Sequence, residues 1–320
     1  MEKEIGCTVP GAVSVWGVVS TAVSGRNATT IGQGERIMYQ IVEKADLTDI
    51  TKLFRVKAPM VAKSAQPGQF VVVRISETGE RIPLTIADYD REEGTVTIVV
   101  QAIGKTSTMM NDLKEGDFML DFAGPLGKAA ELPESGHVCL IGGGFGVAPV
   151  LPIAKALFGK GGIKVTSIIG ARSQDLLILE DEMAAFSDEL HVATDDGSKG
   201  HKGFVTQVLE QLHNKGSDFD VVYAIGPMPM MRAVGMTTKP WGLKTLVSVD
   251  PIMVDGTGMC GACRVTVGGE TKFACVDGPI FDAHQVDFEE AHNRAKMYAN
   301  LENQAMEHWK EHQCKREGVN

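Results

Sequence analysis

Cys260, Cys263 and Cys275 stand in a C-x2-C-x11-C pattern, and Asp255 occupies the place where C-x4-C-x2-C would put an earlier cysteine. Thiolates at this spacing ligate a [2Fe–2S] cluster, which carries single electrons. Gly256, Gly258 and Gly261 give the loop the backbone freedom to wrap such a centre. A carboxylate among the ligands would shift the cluster potential, because ligand type and net charge set it. Two other readings use the same residues. Zinc also accepts three thiolates with a carboxylate, and an aspartate before glycine is an ordinary turn former.

Two further stretches suit a nucleotide. Gly142, Gly143, Gly144 and Gly146 lie in GGGFGVAP, between the apolar run Val138–Ile141 and a helical run over Val147–Phe158. A strand entering a helix through glycines puts backbone N–H groups on a pyrophosphate. Val147 replaces the third glycine of the strict fingerprint, so a tight turn without ligand fits the residues too. Gly226, Pro227 and Met228 open GPMPM after a later strand, where a segment can close over a nicotinamide.

Nearer the N-terminus, Arg81, Pro83, Leu84 and Thr85 form R-x-P-L-T, and Gly104, Lys105, Thr106 and Ser107 follow. Arginine pairs with phosphate, Thr85 can bond an isoalloxazine edge, and the second stretch offers pyrophosphate donors. A surface arginine and an ordinary loop would look the same. His308, His312 and Cys314 sit in a charged tail and read as a solvated face, not a metal site.

These stretches need elements to position them. Short β-rich runs at 37–44, 52–58, 69–75, 82–87, 95–101 and 117–121, divided by turn signals, predict a small antiparallel barrel. From about residue 137, strands alternate with helices, which predicts a doubly wound parallel sheet. A loop-rich cysteine module follows over 250–288, then a polar helical tail over 289–320. The expected divisions are 1–37, 38–135, 136–249, 250–288 and 289–320. Residues 1–37 lack the positive flank of a signal peptide and read as a loose extension, or as a start placed upstream of Met38.

Composition excludes some classes. The formal net charge of −10 argues against nucleic acid or anionic membranes as the main partner. No apolar run is long enough for a membrane span. Six cysteines, with three clustered, indicate a metal site in a reducing, cytoplasmic compartment, not a disulfide framework.

Barrel, R-x-P-L-T, GGGFGVAP, GPMPM and cysteine loop, in this order, resemble the ferredoxin reductase-like flavoproteins. Within them, the chain is similar to the electron-transfer subunits of dihydroorotate dehydrogenase and of NADH-dependent reduced ferredoxin:NADP oxidoreductase. The resemblance spans roughly residues 38–290 and includes FACVDGP and HQVDF. It implies FAD near Arg81, Pro83, Leu84, Thr85 and Gly104–Ser107, NAD(H) along Gly142–Gly146 and Gly226–Met228, and [2Fe–2S] on Asp255, Cys260, Cys263 and Cys275. The cofactors would do the chemistry, with no catalytic side chain.

It further implies a larger partner subunit carrying its own flavin and [4Fe–4S] clusters, linked to NADP(H) and ferredoxin, in an electron-bifurcating heterodimer. The aspartate at 255 favours the ferredoxin:NADP type, because the dihydroorotate type has cysteine there. Dihydroorotate dehydrogenase and a zinc-stabilised regulatory subunit are the alternatives. Two departures stand out. Ile225 replaces a cysteine that many of these reductases carry. After the second strand of the parallel sheet, Arg172 and Ser173 appear with no adjacent acid for a ribose 2′-hydroxyl, and Arg172 suits a 2′-phosphate.

Overall fold

Phe54 and Val56 are buried while Lys57 between strand and helix is exposed, the two-residue alternation of a strand with one face inward. The computed structural model describes residues 38–316, with side chains through 311. The expectation for residues 1–37 lies outside them, as do the side chains of His312 and Cys314.

The first layer runs β1 (Tyr39–Asp46), β2 (Thr51–Lys57), α1 (Pro59–Ser64), β3 (Phe70–Arg74), β4 (Ile82–Asp90), β5 (Thr95–Gln101), α2 (Lys105–Asn111), β6 (Phe118–Met119) and β7 (Asp121–Leu126). The strands pair antiparallel in the order β6-β1-β2-β5-β4-β3-β7. Strands β6 and β7 lie at opposite edges yet only Leu120 separates them, and its N–H donates to the Arg74 carbonyl at 2.9 Å. The sheet therefore curls until its edges meet, giving a nearly closed barrel around Ile41, Phe54, Val73, Ile98 and Phe122. The single strand expected over 117–121 is two short strands, because one chain segment must serve both edges.

The second layer runs β8 (Gly136–Gly143), α3 (Val147–Phe158), β9 (Ile163–Ala171), α4 (Glu180–Ala185), β10 (Glu189–Thr194), β11 (His201–Lys202), α5 (Val205–Asn214), β12 (Val221–Ile225), α6 (Met228–Thr238) and β13 (Lys244–Ser248). Val138 and Leu140 pack with α3 and α4, whereas Cys139 and Ile141 pack with α5 and α6. Burial on both faces explains why these strands read as unbroken apolar runs.

The cysteine segment is less loop-like than expected. It contains the hairpin β14 (Arg264–Val267) and β15 (Glu270–Phe273), the turn α7 (Ala274–Asp277) and β16 (Ile280–Asp282). Strand β16 pairs antiparallel with β13 and joins the parallel sheet as its edge, in the order β11-β10-β9-β8-β12-β13-β16. An edge strand left open would expose unpaired amides, and β16 covers β13 instead. Helices α8 (Phe288–Ala295) and α9 (Ala299–Arg316) complete the chain. Among the described residues no helix is long and apolar enough to cross a membrane.

Candidate electron-transfer site

The cysteine loop is built on positive-φ glycines. Gly256, Gly258 and Gly261 have φ of 74°, 85° and 67°, a region that other L-residues enter only with strain. Both Asp255 oxygens brace this loop: the N–H of Thr257 donates to one at 2.8 Å and that of Cys260 to the other at 2.9 Å. These bonds, Thr257 foremost, hold the Asp255 carboxyl below its ordinary value. Each oxygen keeps a further lone pair, so bracing and ligation are compatible.

Cys263 and Cys275 are buried with their Sγ atoms 3.2 Å apart, and Cys260 is exposed on the loop. Burial, then the Cys263 contact, pushes the Cys275 thiol up to about 12. Coordination to a metal centre deprotonates such a thiol.

The loop is also anchored to both layers. A methyl on Gly256 would meet Leu126 Cδ1 at 2.7 Å and Val72 at 3.2 Å, side chains of β7 and β3. The Lys128 N–H donates to the Gly278 carbonyl at 2.7 Å, and the Val249 N–H to that of Pro279 at 3.0 Å.

The two glycine motifs meet at the carboxyl edge of adjacent strands β8 and β12, where Gly142 pairs with Ile225. Here the strand order reverses, and ligands of open α/β sheets bind at such a point. A methyl on Gly146 would lie 2.1 Å from the Ile225 carbonyl oxygen, and one on Gly143 2.2 Å from Met230 Sδ. Gly226, at φ 158°, would meet the Gly143 carbonyl at 2.9 Å. Gly144 differs: its φ is 52° and its missing side chain faces open space. Gly143, Gly146 and Gly226 thus permit the two motifs to pack closely on each other, and Gly144 leaves room at the crevice. Met230 rests on the glycine loop.

On the barrel, Glu80 gathers the two phosphate-directed stretches. It accepts the Thr106 hydroxyl at 2.7 Å and lies 3.8 Å from Lys105 Nζ, while the next residue, Arg81, lies 3.7 Å from Asp121. Thr85 and Leu84 stand opposite Phe70 and Val71, and Pro83 opposite Val72. Lys105–Ser107, expected to offer pyrophosphate donors, form the first turn of α2. Ser107 Oγ is turned back onto the Ile103 and Gly104 amides at 3.1 and 3.0 Å, and a methyl on Gly104 would meet nothing within 4 Å. The open face at Gly104 and the helix amides suit an anion better than the Thr106 and Ser107 hydroxyls do.

Sequence comparison decides the family. Residues 250–287 match the iron–sulfur cluster binding domain of dihydroorotate dehydrogenase B, and residues 140–235 match the oxidoreductase NAD-binding domain. A dihydroorotate dehydrogenase B (NAD(+)) electron transfer subunit homolog from Thermotoga maritima is 47% identical over 269 residues, covering 84% of this chain and 94% of the relative. The chain belongs to the dihydroorotate dehydrogenase B electron transfer subunit family.

A Geobacillus thermodenitrificans member, the dihydroorotate dehydrogenase B (NAD(+)) electron transfer subunit, is 36% identical over 77% of this chain and 96% of its own length. Among solved structures, a chain from the flavin-based electron-bifurcating NADH-dependent reduced ferredoxin–NADP oxidoreductase superposes with a TM-score of 0.81. That chain shares 45% identity, covering 87% of this chain and 99% of its own. The ferredoxin reductase in carbazole 1,9a-dioxygenase, at 20% identity and TM-score 0.55, shares the fold.

Within this family the donor set fits an iron–sulfur cluster: two close thiols, a third on a glycine-rich rim and a fixed carboxylate. A two-iron centre takes its ligands in pairs, and Cys263 and Cys275 stand close enough to form one such pair.

Sequence reasoning missed Asp195. It looked for an acid directly after β9, whereas the fold brings one from the end of β10. The Asp195 N–H donates to the Ala171 carbonyl and the Asp196 N–H to that of Arg172, both at 3.1 Å. The Asp196 carboxylate is engaged by Ser198, at 2.9 Å from its N–H and 2.6 Å from its hydroxyl. Asp195 is exposed at the strand end. The signal in the sequence was Thr-Asp-Asp-Gly closing a strand.

Proposed function

We propose that this family member is the NAD(H)-linked electron-transfer subunit of a ferredoxin:NADP oxidoreductase complex of the bifurcating type. In this reading residues 38–135 hold FAD, 136–249 hold NAD(H) and 250–288 hold the [2Fe–2S] cluster. Arg81, Pro83, Leu84, Thr85 and Gly104–Ser107 face the flavin. Gly142–Gly146 and Gly226–Met228 face the nicotinamide nucleotide, and Asp255, Cys260, Cys263 and Cys275 hold the cluster. Held by these residues, FAD would supply hydride acceptance from NADH and the cluster single-electron transfer.

The residues supply position and charge. Gly143 and Gly146 let the second glycine motif close on the first, which fixes the depth of the nicotinamide crevice. Asp195 accepts a ribose 2′-hydroxyl and repels a 2′-phosphate, which favours NAD(H) despite Arg172. The packing of Gly256 on Leu126 keeps the cysteine loop against the barrel. Ile225, buried at the end of β12, offers no ionisable thiol there.

The observation that carries the choice of complex is Asp255, braced and ionised where the dihydroorotate type has a cysteine. The likeness to the ferredoxin–NADP oxidoreductase chain over nearly all of that chain's length supports it. The second reading, an electron-transfer subunit serving dihydroorotate oxidation, is favoured by the match over residues 250–287. Anaerobic co-purification with the partner subunit, followed by assay, separates them. NADP reduction that requires both NADH and reduced ferredoxin supports the proposal. Dihydroorotate-dependent NAD reduction without ferredoxin supports the alternative.

A further inference from the structure

Arg294 reaches from α8 to the cysteine loop. Its Nη2 donates to the Ala262 carbonyl at 3.1 Å, and Ala262 stands between Cys260 and Cys263. Its Nε is buried without a hydrogen-bond partner among the described residues. Asp287, Glu289 and Glu290 line a cleft of about 540 Å³ with Arg294, but Asp287 is engaged by the N–H groups of Glu289 and Glu290. The guanidinium is therefore pinned beside two cluster ligands. A second cation, Arg264, lies near Gly261, whose added methyl would be 3.4 Å from Arg264 Nη1, yet Arg264 is exposed.

We infer that Arg294 sets the reduction potential of the cluster through its charge. The inference rests on the cluster reading above. One-electron reduction adds one negative charge to a centre already surrounded by anionic ligands. At an effective dielectric constant of about 20, any fixed unit charge within about 12 Å of a redox centre shifts such an equilibrium about tenfold or more. An exposed cation is screened by water and salt and shifts it less. Arg294, half-buried and tethered to the loop itself, is the group placed to favour the reduced state. The hydrogen bond to Ala262 serves as the tether, and the charge does the tuning.

The test is an EPR-monitored redox titration of the full-length chain, anaerobically reconstituted with iron and sulfide. Arg294→Gln retains a donor for Ala262 without the charge, and Arg294→Lys retains the charge without the planar fork. Arg294→Gln is expected to disfavour reduction about tenfold, which is 59 mV for one electron. Arg294→Lys and Arg264→Gln are expected to stay within about threefold of wild type. The inference is overturned if Arg294→Gln stays within that range, or if the Gln and Lys variants shift equally. It is also overturned if only the Gln variant loses the cluster, since the charge would then serve assembly. A wild-type chain that shows no [2Fe–2S] signal contradicts the cluster reading itself.

Discussion

Gly256 sits so close to Leu126 that a methyl group on it would lie 2.7 Å from Leu126 Cδ1. The cysteine loop is thus packed on the last strand of the barrel, and its backbone sits at φ 74° to do so. Gly256→Ala combines a clash with a backbone penalty of about 1–2 kcal/mol. Its expected effect is loss of at least about half the cluster, read by iron content and EPR. FAD content and NADH-driven flavin bleaching are expected to stay near wild type. Wild-type iron content in this variant would count against the packing account.

Gly146 and Gly144 separate packing from ligand access. Gly146→Ala forces α3 away from the Ile225 carbonyl, and a displacement near 1 Å costs about a hundredfold in positioning. NADH-dependent flavin reduction should fall by about that factor in kcat/KM. Gly144→Ala has room for its methyl, so its fold should lose only about 1–2 kcal/mol from the positive φ. Thermal unfolding and stopped-flow reduction of both variants check this, with equal defects the contrary result.

Asp195→Ser should shift nicotinamide preference. Removing the exposed carboxylate after β10 lifts like-charge repulsion of a 2′-phosphate, which is worth several kcal/mol when close. The ratio of kcat/KM for NADPH over NADH is expected to rise at least about tenfold. An unchanged ratio would place the ribose elsewhere.

Much of this architecture was legible from residue pattern, and the failures have physical causes. Val138–Ile141 before Gly142 announces a buried strand entering a helix, because local periodicity and glycine chemistry agree there. The barrel closure at Leu120 depends on two edges meeting in space, which no local window contains. Strand β16 was hidden for the same reason: Ile280–Asp282 is three residues long and becomes a strand only against β13. Lys105–Ser107 looked like a donor loop, yet Ser107 turns back to brace the helix start. Spacing marks Cys260, Cys263 and Cys275 as a metal-binding set, whereas Asp255 as a fourth ligand comes only from the family resemblance, because an aspartate before glycine is also an ordinary turn former. Arg294 was invisible, lying 32 residues from Ala262 in the chain.

Asp255 offers a charge-sensitive test. An amide has one acceptor oxygen for the two N–H groups that Asp255 now serves, so Asp255→Asn should loosen the loop and lower cluster content. Asp255→Cys should retain the cluster with a shifted potential. The carboxyl is held below its ordinary value, so its contribution is fully present above the ordinary carboxylate range. It is lost only as pH falls through the depressed folded value. Cluster absorbance of wild type should therefore not titrate with this carboxyl between pH 7 and about 5. A carboxylate-type loss inside that window, or an unchanged potential in Asp255→Cys, would remove Asp255 from the ligand set.

The relay itself is tested most directly by mixing NADH anaerobically with the reconstituted full-length chain and with Cys263→Ala, following flavin absorbance and the cluster EPR signal together. Wild type is predicted to bleach the flavin and then develop the reduced [2Fe–2S] signal. Cys263→Ala is predicted to bleach at a rate within about threefold of wild type and to develop no such signal. A wild-type chain whose flavin is reduced while an intact cluster stays oxidised, or a variant that still reduces a cluster, would contradict the account.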